Sequence, residues 1–371
     1  MARTVVGVND PKAVKKYSAA LAIDASQKAY WNQRFMGRGA DAETPLQVLT
    51  DLESDAGEEI KYDLLAELRM EPVEGDDVLE GREEAQRFYT DSVYIDQARC
   101  GVNTGGRMTR KRTLHDLREK ARRQQSNWWA RFMDELCFIY LSGARGVNDN
   151  FIVRGDWAGR ANNPLVAPSA NHHFFGGAAT AFNNIAAADT MSLKLIDKMV
   201  TRAQTQGGGA SDIPVLQPCK VDGEEAFVLV MHTWQEDDLR AESGGASWLE
   251  IQKAMTTAVG KNSPIFKGGL GMYRKVILHS HRNAIRFADA GASGDVAAAR
   301  ALMLGAQAGV VAFGSPGTGL RFDWHEESRD NGNQVVITSS SIFGVKKTTF
   351  TTEKGAQDHG VFALDTAAAP R

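Results

Sequence analysis

From Thr109 to Ser142 the chain runs through 34 residues without a glycine or a proline. Leu114, Leu117, Ala121, Trp128, Phe132, Leu136 and Tyr140 fall at intervals built from threes and fours, so one face of a helix is apolar along its whole length. The pattern predicts a single helix, with Thr109 as N-cap and Gly143 as stop. At 1.5 Å per residue it would extend about 50 Å. Few globular domains of this size need such a rod, and it is expected to be the spine of an elongated subunit. The Trp128-Trp129 pair is read as core packing rather than a binding platform.

Charge is segregated around this helix. Between Asp51 and Glu84 there are 14 acidic residues, opposed only by Lys61, Arg69 and Arg82. From Arg107 to Arg123 the sign reverses, with eight Lys or Arg against Asp116 and Glu119. A one-sided block repels itself, whereas a solvated face normally mixes its signs. Two opposed blocks therefore suggest a partner surface, and the partner can be the same region of a neighbouring copy. That would make the chain a self-assembling building unit rather than a soluble catalyst.

The bulk composition narrows the alternatives. The chain has 371 residues, enough for two domains with real cores. A net charge of -3 argues against a dedicated nucleic-acid binder. Cys100, Cys137 and Cys219 are too few and too scattered for a disulfide framework or a zinc knuckle, which fits a reducing compartment. No apolar core of signal-peptide length opens the chain and no apolar run approaches a membrane span, so neither export by that route nor membrane insertion is expected.

Along the chain, residues 1–45 read as an arm whose Tyr30, Trp31 and Phe35 are expected to lie on another subunit. Two strand-like runs, 60–70 and 92–102, flank the acidic segment EPVEGDDVLEGREE; the connection is too long for a tight turn, and a projecting two-stranded loop with an acidic tip follows. Beyond the spine, residues 164–188 read as irregular. Helices are expected at 192–206, near 247–259 and near 296–306 with a possible run to Ala312, and strands at 226–233, 273–279, 335–341 and 345–351. Mixed elements without regular alternation indicate an α+β architecture, and no repeat of 20 to 50 residues occurs.

Signatures of catalysis are missing from the sequence. It contains no HExxH, GxxxxGK[ST], GxSxG or CxxC, and Gly268-Gly269-Leu270-Gly271 reads as a turn rather than a phosphate loop. His279 and His281 would share a strand face, but no carboxylate or thiol close in sequence completes a metal site, and His172-His173 is a poorer chelator still. The chain is expected not to be an enzyme and to use neither cofactor nor metal.

The order of parts, arm then long loop then spine helix then α+β body, resembles the major capsid proteins of tailed bacteriophages with the Hong Kong 97-type fold. More narrowly, the sequence is similar to the coat-protein family typified by the podovirus N-four. The resemblance rests on VEGDDVLEGREE at 73–84, Asp116-Leu117-Arg118, Trp128 with Asp134, and Val230-Met231-His232 with Asp238-Leu239-Arg240. It continues through Trp248, 262–266, Gly271, Tyr273, Val276, 301–308, Trp324, Asp330 and 344–347.

The resemblance implies an N-terminal arm at 1–48, an extended loop with flanking strands at 49–106, a peripheral domain at 107–190, an axial domain at 191–320 and return strands with a tail at 321–371. It also implies a coat subunit forming hexameric and pentameric capsomers of an icosahedral head assembled in the host cytoplasm. The head would enclose double-stranded DNA without reading its sequence. A portal protein, and scaffolding or decoration proteins, are implied partners. In that arrangement the loop lies over a neighbour, so Asp76, Asp77, Glu80, Glu83 and Glu84 would meet Arg110, Lys111, Arg112, Arg118 or Arg122 of another copy. Alternatively the basic face of the helix looks at solvent or packaged DNA. A cellular encapsulin-like shell protein of the same fold is the second reading, and a soluble α+β enzyme the third.

Overall fold

The computed structural model describes residues 11–39, 42–53, 57–113, 115–160, 162–208, 213–221, 224–242, 269–315 and 321–370. The expected helix near 247–259, together with Leu114, Trp248, 262–266 and Gly268, lies outside them.

The spine is shorter than its composition predicts. Helix Leu117–Ser142 follows a separate six-residue helix, Arg107–Arg112, and extended Thr113 parts the two. Asp116, not Thr109, is the N-cap: its Oδ1 accepts from the backbone N–H of Arg118 at 2.9 Å and of Glu119 at 3.3 Å. A carboxylate at this position both satisfies orphan N–H groups and opposes the positive helix end, which outweighs continuing the helix backward. The 26 residues give a rod of about 39 Å. Gly143 does end it, at φ 69°, where a Cβ would sit 2.1 Å from the Val166 carbonyl oxygen.

Two larger sheets hold most of the strands among the described residues. In the first the order is Met36–Arg38, Leu46–Leu49, Gly309–Gly314, Gln334–Lys347 and Asp323–Arg329, and Asp96–Asn103 also pairs with the long strand. In the second it is Gly271–Tyr273, Val276–Ser280, Glu224–Met231, Val296–Leu304, Val361–Ala367 and His173–Phe175. These sheets draw strands from both sides of the expected boundaries at 190 and 320: Gly309–Gly314 belongs to the first, His173–Phe175 and Val361–Ala367 to the second.

The expected helix at 296–306 is corrected. Val296–Leu304 is a central strand, with Val361–Ala367 on one side and Glu224–Met231 on the other, and Gly309–Gly314 is a further strand. VAAARALML reads as helix because alanine, leucine and methionine favour one. Tertiary burial overrides that preference. Leu302 and Leu304 join Val228 and Val230 in the core beneath the spine helix, while Ala301 and Met303 join Phe227, Leu229 and Met231 under helix Leu193–Thr205. A strand covered on both faces shows no alternation, so its period is invisible in sequence.

The aromatic cluster of the N-terminal segment is also corrected. Trp31 and Phe35 are buried in the chain's own core, with Trp31 4.9 Å from Phe138 of the spine helix and Tyr30 stacked 4.5 Å from His281. Asp134, on the spine helix, accepts the backbone N–H of Tyr30 at 2.9 Å and of Trp31 at 3.2 Å. Helix Pro11–Lys28 lies along the spine, where Asp24 pairs with Arg122. A segment too short to fold alone has found its partner within the subunit. Trp31 and Phe35 are therefore not available to clamp a neighbour, and Tyr30 is half-buried beside them.

Buried polar groups join the layers. Trp129, fully buried, donates from Nε1 to Ser339 Oγ at 2.8 Å, and Trp128 is half-buried against the same core. Arg300 bridges Asp365 through two contacts of 2.6 Å and donates to the Ser142 carbonyl at 2.7 Å. Burial pushes the Asp365 carboxyl up, but the Arg300 guanidinium and His173 outweigh it and hold it below the ordinary range. Lys347 and Asp358 form a second buried pair at 2.8 Å. Four histidines are kept neutral by burial: His172 is lowered to about 3, and His232, His281 and His359 each to about 4.

Trp31→Ala is expected to cost about 3–5 kcal/mol, and removal of residues 11–36 to destabilise the free subunit itself, read as a fall in its denaturant midpoint. The histidines set a pH dependence. Their folded pKa values lie below the unfolded value of 6.5, so the stability they contribute is complete above about pH 6.5 and is lost as pH falls toward 4, with a slope approaching ~1.4 kcal/mol per pH unit per group. Asp134 acts oppositely, since burial raises it to about 7 and its contribution is lost as pH rises through that value. Four groups outweigh one, and the subunit should melt earlier at pH 5 than at pH 7.5. His359→Gln should flatten that difference.

Candidate assembly interface

A hairpin carries most of the acidic block. Strands Glu59–Leu65 and Phe88–Tyr94 pair over seven residues, and Ile60 with Val93 seat its base on Val310 and Ala312 of the first sheet. Lys346 pairs with Asp91 at the same base. The second strand-like run of the sequence is thus two strands, since Asp96–Asn103 leaves the hairpin to join the first sheet.

Beyond Leu65 and Phe88 the loop is organised by its own carboxylates. Glu84 accepts from the backbone N–H of Arg69 at 2.5 Å and of Met70 at 2.8 Å, and Arg87 lies 3.3 Å from it. These backbone donors lower its carboxyl below the usual range. Glu83 accepts from Gly81 N–H at 2.7 Å, Asp77 faces Arg82 at 3.5 Å, and Arg69 reaches Glu353 of the body at 3.7 Å. Glu83, Glu84 and Asp77 therefore have partners within their own chain. Asp76 and Glu80 remain exposed at the tip, beside Val78 at 66% and Leu79 at 50% exposure.

The basic block divides in the same way. Arg110 donates to the Asn333 carbonyl at 2.9 Å, and Arg107 caps the same turn through Gly332 and Asn333. Arg118 reaches Glu326 at 2.6 Å, whose carboxylate also accepts from Trp324 Nε1 at 2.8 Å, and Arg122 pairs with Asp24 at 3.5 Å. Lys111 and Arg112 stay exposed, next to Met108 at 62% exposure. Of ten charged residues expected between copies, six are engaged within this chain, and Asp76, Glu80, Lys111 and Arg112 are the exposed remainder. Sequence reasoning also missed the apolar tip residues Val78 and Leu79, although a hydrophobic pair inside an acidic loop was visible there.

The histidines do other work. His279 and His281 pack against Tyr30, Phe35 and Phe138, and His173 meets Asp365. Among the described residues no group of three potential metal ligands converges, and no helix is long and apolar enough to cross a membrane.

The family described as phage capsid protein matches residues 5–370. The chain is 46% identical to the capsid of Ralstonia phage GP4, covering 100% of this chain and 99% of that one at a TM-score of 0.84. It is 26% identical over 391 residues to the major capsid protein of Pseudomonas phage KPP25, covering 95% of this chain and 98% of the relative. The cyanophage Pam1 capsid asymmetric unit shares the fold at 21% identity and a TM-score of 0.68, over 90% of this chain and 91% of that one.

Glu84→Gln is expected to leave the melting temperature of the subunit nearly unchanged while hydrogen exchange at the Arg69 and Met70 amides accelerates, because only the loop depends on that carboxylate.

Proposed function

The chain belongs to the phage capsid protein family, and on that premise we propose that the acidic tip of the projecting loop and the exposed cations of the Arg107–Arg112 helix are the surfaces through which copies join. The protein is a major capsid protein of Hong Kong 97-type fold, a structural component of the virion capsid. Its proposed assembly route is through hexameric and pentameric capsomers in the host cytoplasm, with a portal protein at one position of the shell and with scaffolding or decoration proteins as further partners. The shell encloses double-stranded DNA. In this reading the first sheet and the spine form the peripheral region and the second sheet the axial one.

The observation that carries the contact proposal is the division of charges just described. Asp76 and Glu80 surround an exposed Val78-Leu79 pair, and Lys111 and Arg112 flank exposed Met108, so the two surfaces match in both sign and apolar content. Each exposed pair contributes about 0.2–1 kcal/mol. Weak single contacts repeated over a shell set register while letting a misplaced subunit dissociate.

Asp76→Lys with Glu80→Lys should reduce shell yield at least tenfold while the free subunit keeps its melting temperature. Adding Lys111→Glu with Arg112→Glu should restore shells. Loss of yield with no recovery in the charge-swapped chain would show that these two surfaces do not meet.

A further inference from the structure

A second basic surface remains, away from the Arg107–Arg112 helix. Helix Leu193–Thr205 buries Leu195, Ile196, Met199, Val200 and Ala203 against the second sheet, and its outer face carries Lys194, Lys198 and Arg202 at intervals of four. All three are exposed and line one wall of an open cleft of about 580 Å³. The opposite wall includes His173 and Phe174 of strand His173–Phe175, which among the described residues pairs only with Val361–Ala367. Asn171 and Thr201 add neutral hydrogen-bonding groups.

Asp197 is the carboxylate in the cleft lining, and it is already engaged by Arg274 at 2.9 Å and the Tyr273 hydroxyl at 3.3 Å. The cleft is left net positive. Spaced four residues apart, the three cations span about 12 Å along the helix axis. A duplex strand presents a phosphate about every 3.4 Å of its axis, so this length matches three to four consecutive phosphates.

We infer that this cleft is a contact for the phosphate backbone of the packaged double-stranded DNA. The inference rests on the proposed enclosure of DNA by the shell. Charge also distinguishes the cleft from the projecting loop, since a surface holding Glu71, Glu74, Asp76 and Glu80 would repel DNA. On this inference the cleft wall would face the interior, and on the proposed function the loop tip would face a neighbouring subunit. Recognition is by backbone charge, with no base-reading geometry.

The test uses the unassembled subunit and a 30-base-pair duplex, in two unrelated sequences, over a range of salt. Wild type should bind both equally. In the Lys194→Gln, Lys198→Gln, Arg202→Gln chain the slope of log affinity against log salt should become shallower by about 2.7, as expected for three lost phosphate contacts. Unchanged melting establishes that the variant is folded, and assembly of normal empty shells by it keeps this test separate from that of the loop contact. An unchanged slope overturns the inference, as does absence of wild-type binding. Failure of the folded variant to form shells assigns the cleft to a contact between copies instead. Equal competition by a polyglutamate peptide at matched charge assigns it to an acidic protein segment.

Discussion

Arg300 joins the two halves of this fold. It sits in the central strand of the second sheet, faces Asp365 of the adjacent strand in register, and donates to the last carbonyl of the spine helix at Ser142. A cation at that point meets both a carboxylate and the negative end of a helix. The geometry is bidentate and every contact lies between 2.6 and 2.7 Å. Removing either partner of such a buried pair leaves an uncompensated charge, a loss of about 3–5 kcal/mol. The direction of the spine relative to the second sheet is thereby fixed by chemistry as well as by packing.

Charge segregation in the sequence has two meanings that composition cannot separate. Part of each block is spent inside the subunit: Arg118 compensates buried Glu326, Arg122 ties the N-terminal helix to the spine, and Glu84 ends the orphan state of two loop amides. Only the remainder is offered outward. A count of opposite charges cannot separate the residues engaged inside the subunit from those left exposed.

The loop, the strand flanking it, the end of the spine at Gly143 and the amphipathic helix at 193–205 were all legible, because each depends on local signals such as spacing, glycine and length. What was hidden depends on distant partners. Val296–Leu304 looked helical because both its faces are covered, and nothing local records that. Trp31 and Phe35 looked like surface anchors because the rings they pack on, Phe138 and His279, lie more than a hundred residues away. Lys194, Lys198 and Arg202 follow a helical spacing in the sequence, but the strand His173–Phe175 beside them is placed by pairing with a segment nearly two hundred residues away.

The position of Val361–Ala367 has a temporal consequence. It lies between Val296–Leu304 and His173–Phe175, so a strand complete early in synthesis waits nearly two hundred residues for the one it pairs with. Contacts of such sequence separation slow folding, because loop closure must precede any gain from pairing. Until the late strand docks, Asp365 is absent and Arg300 has no counter-charge. A chain that has not yet reached Asp365 therefore lacks the carboxylate that holds Arg300 in register with the adjacent strand.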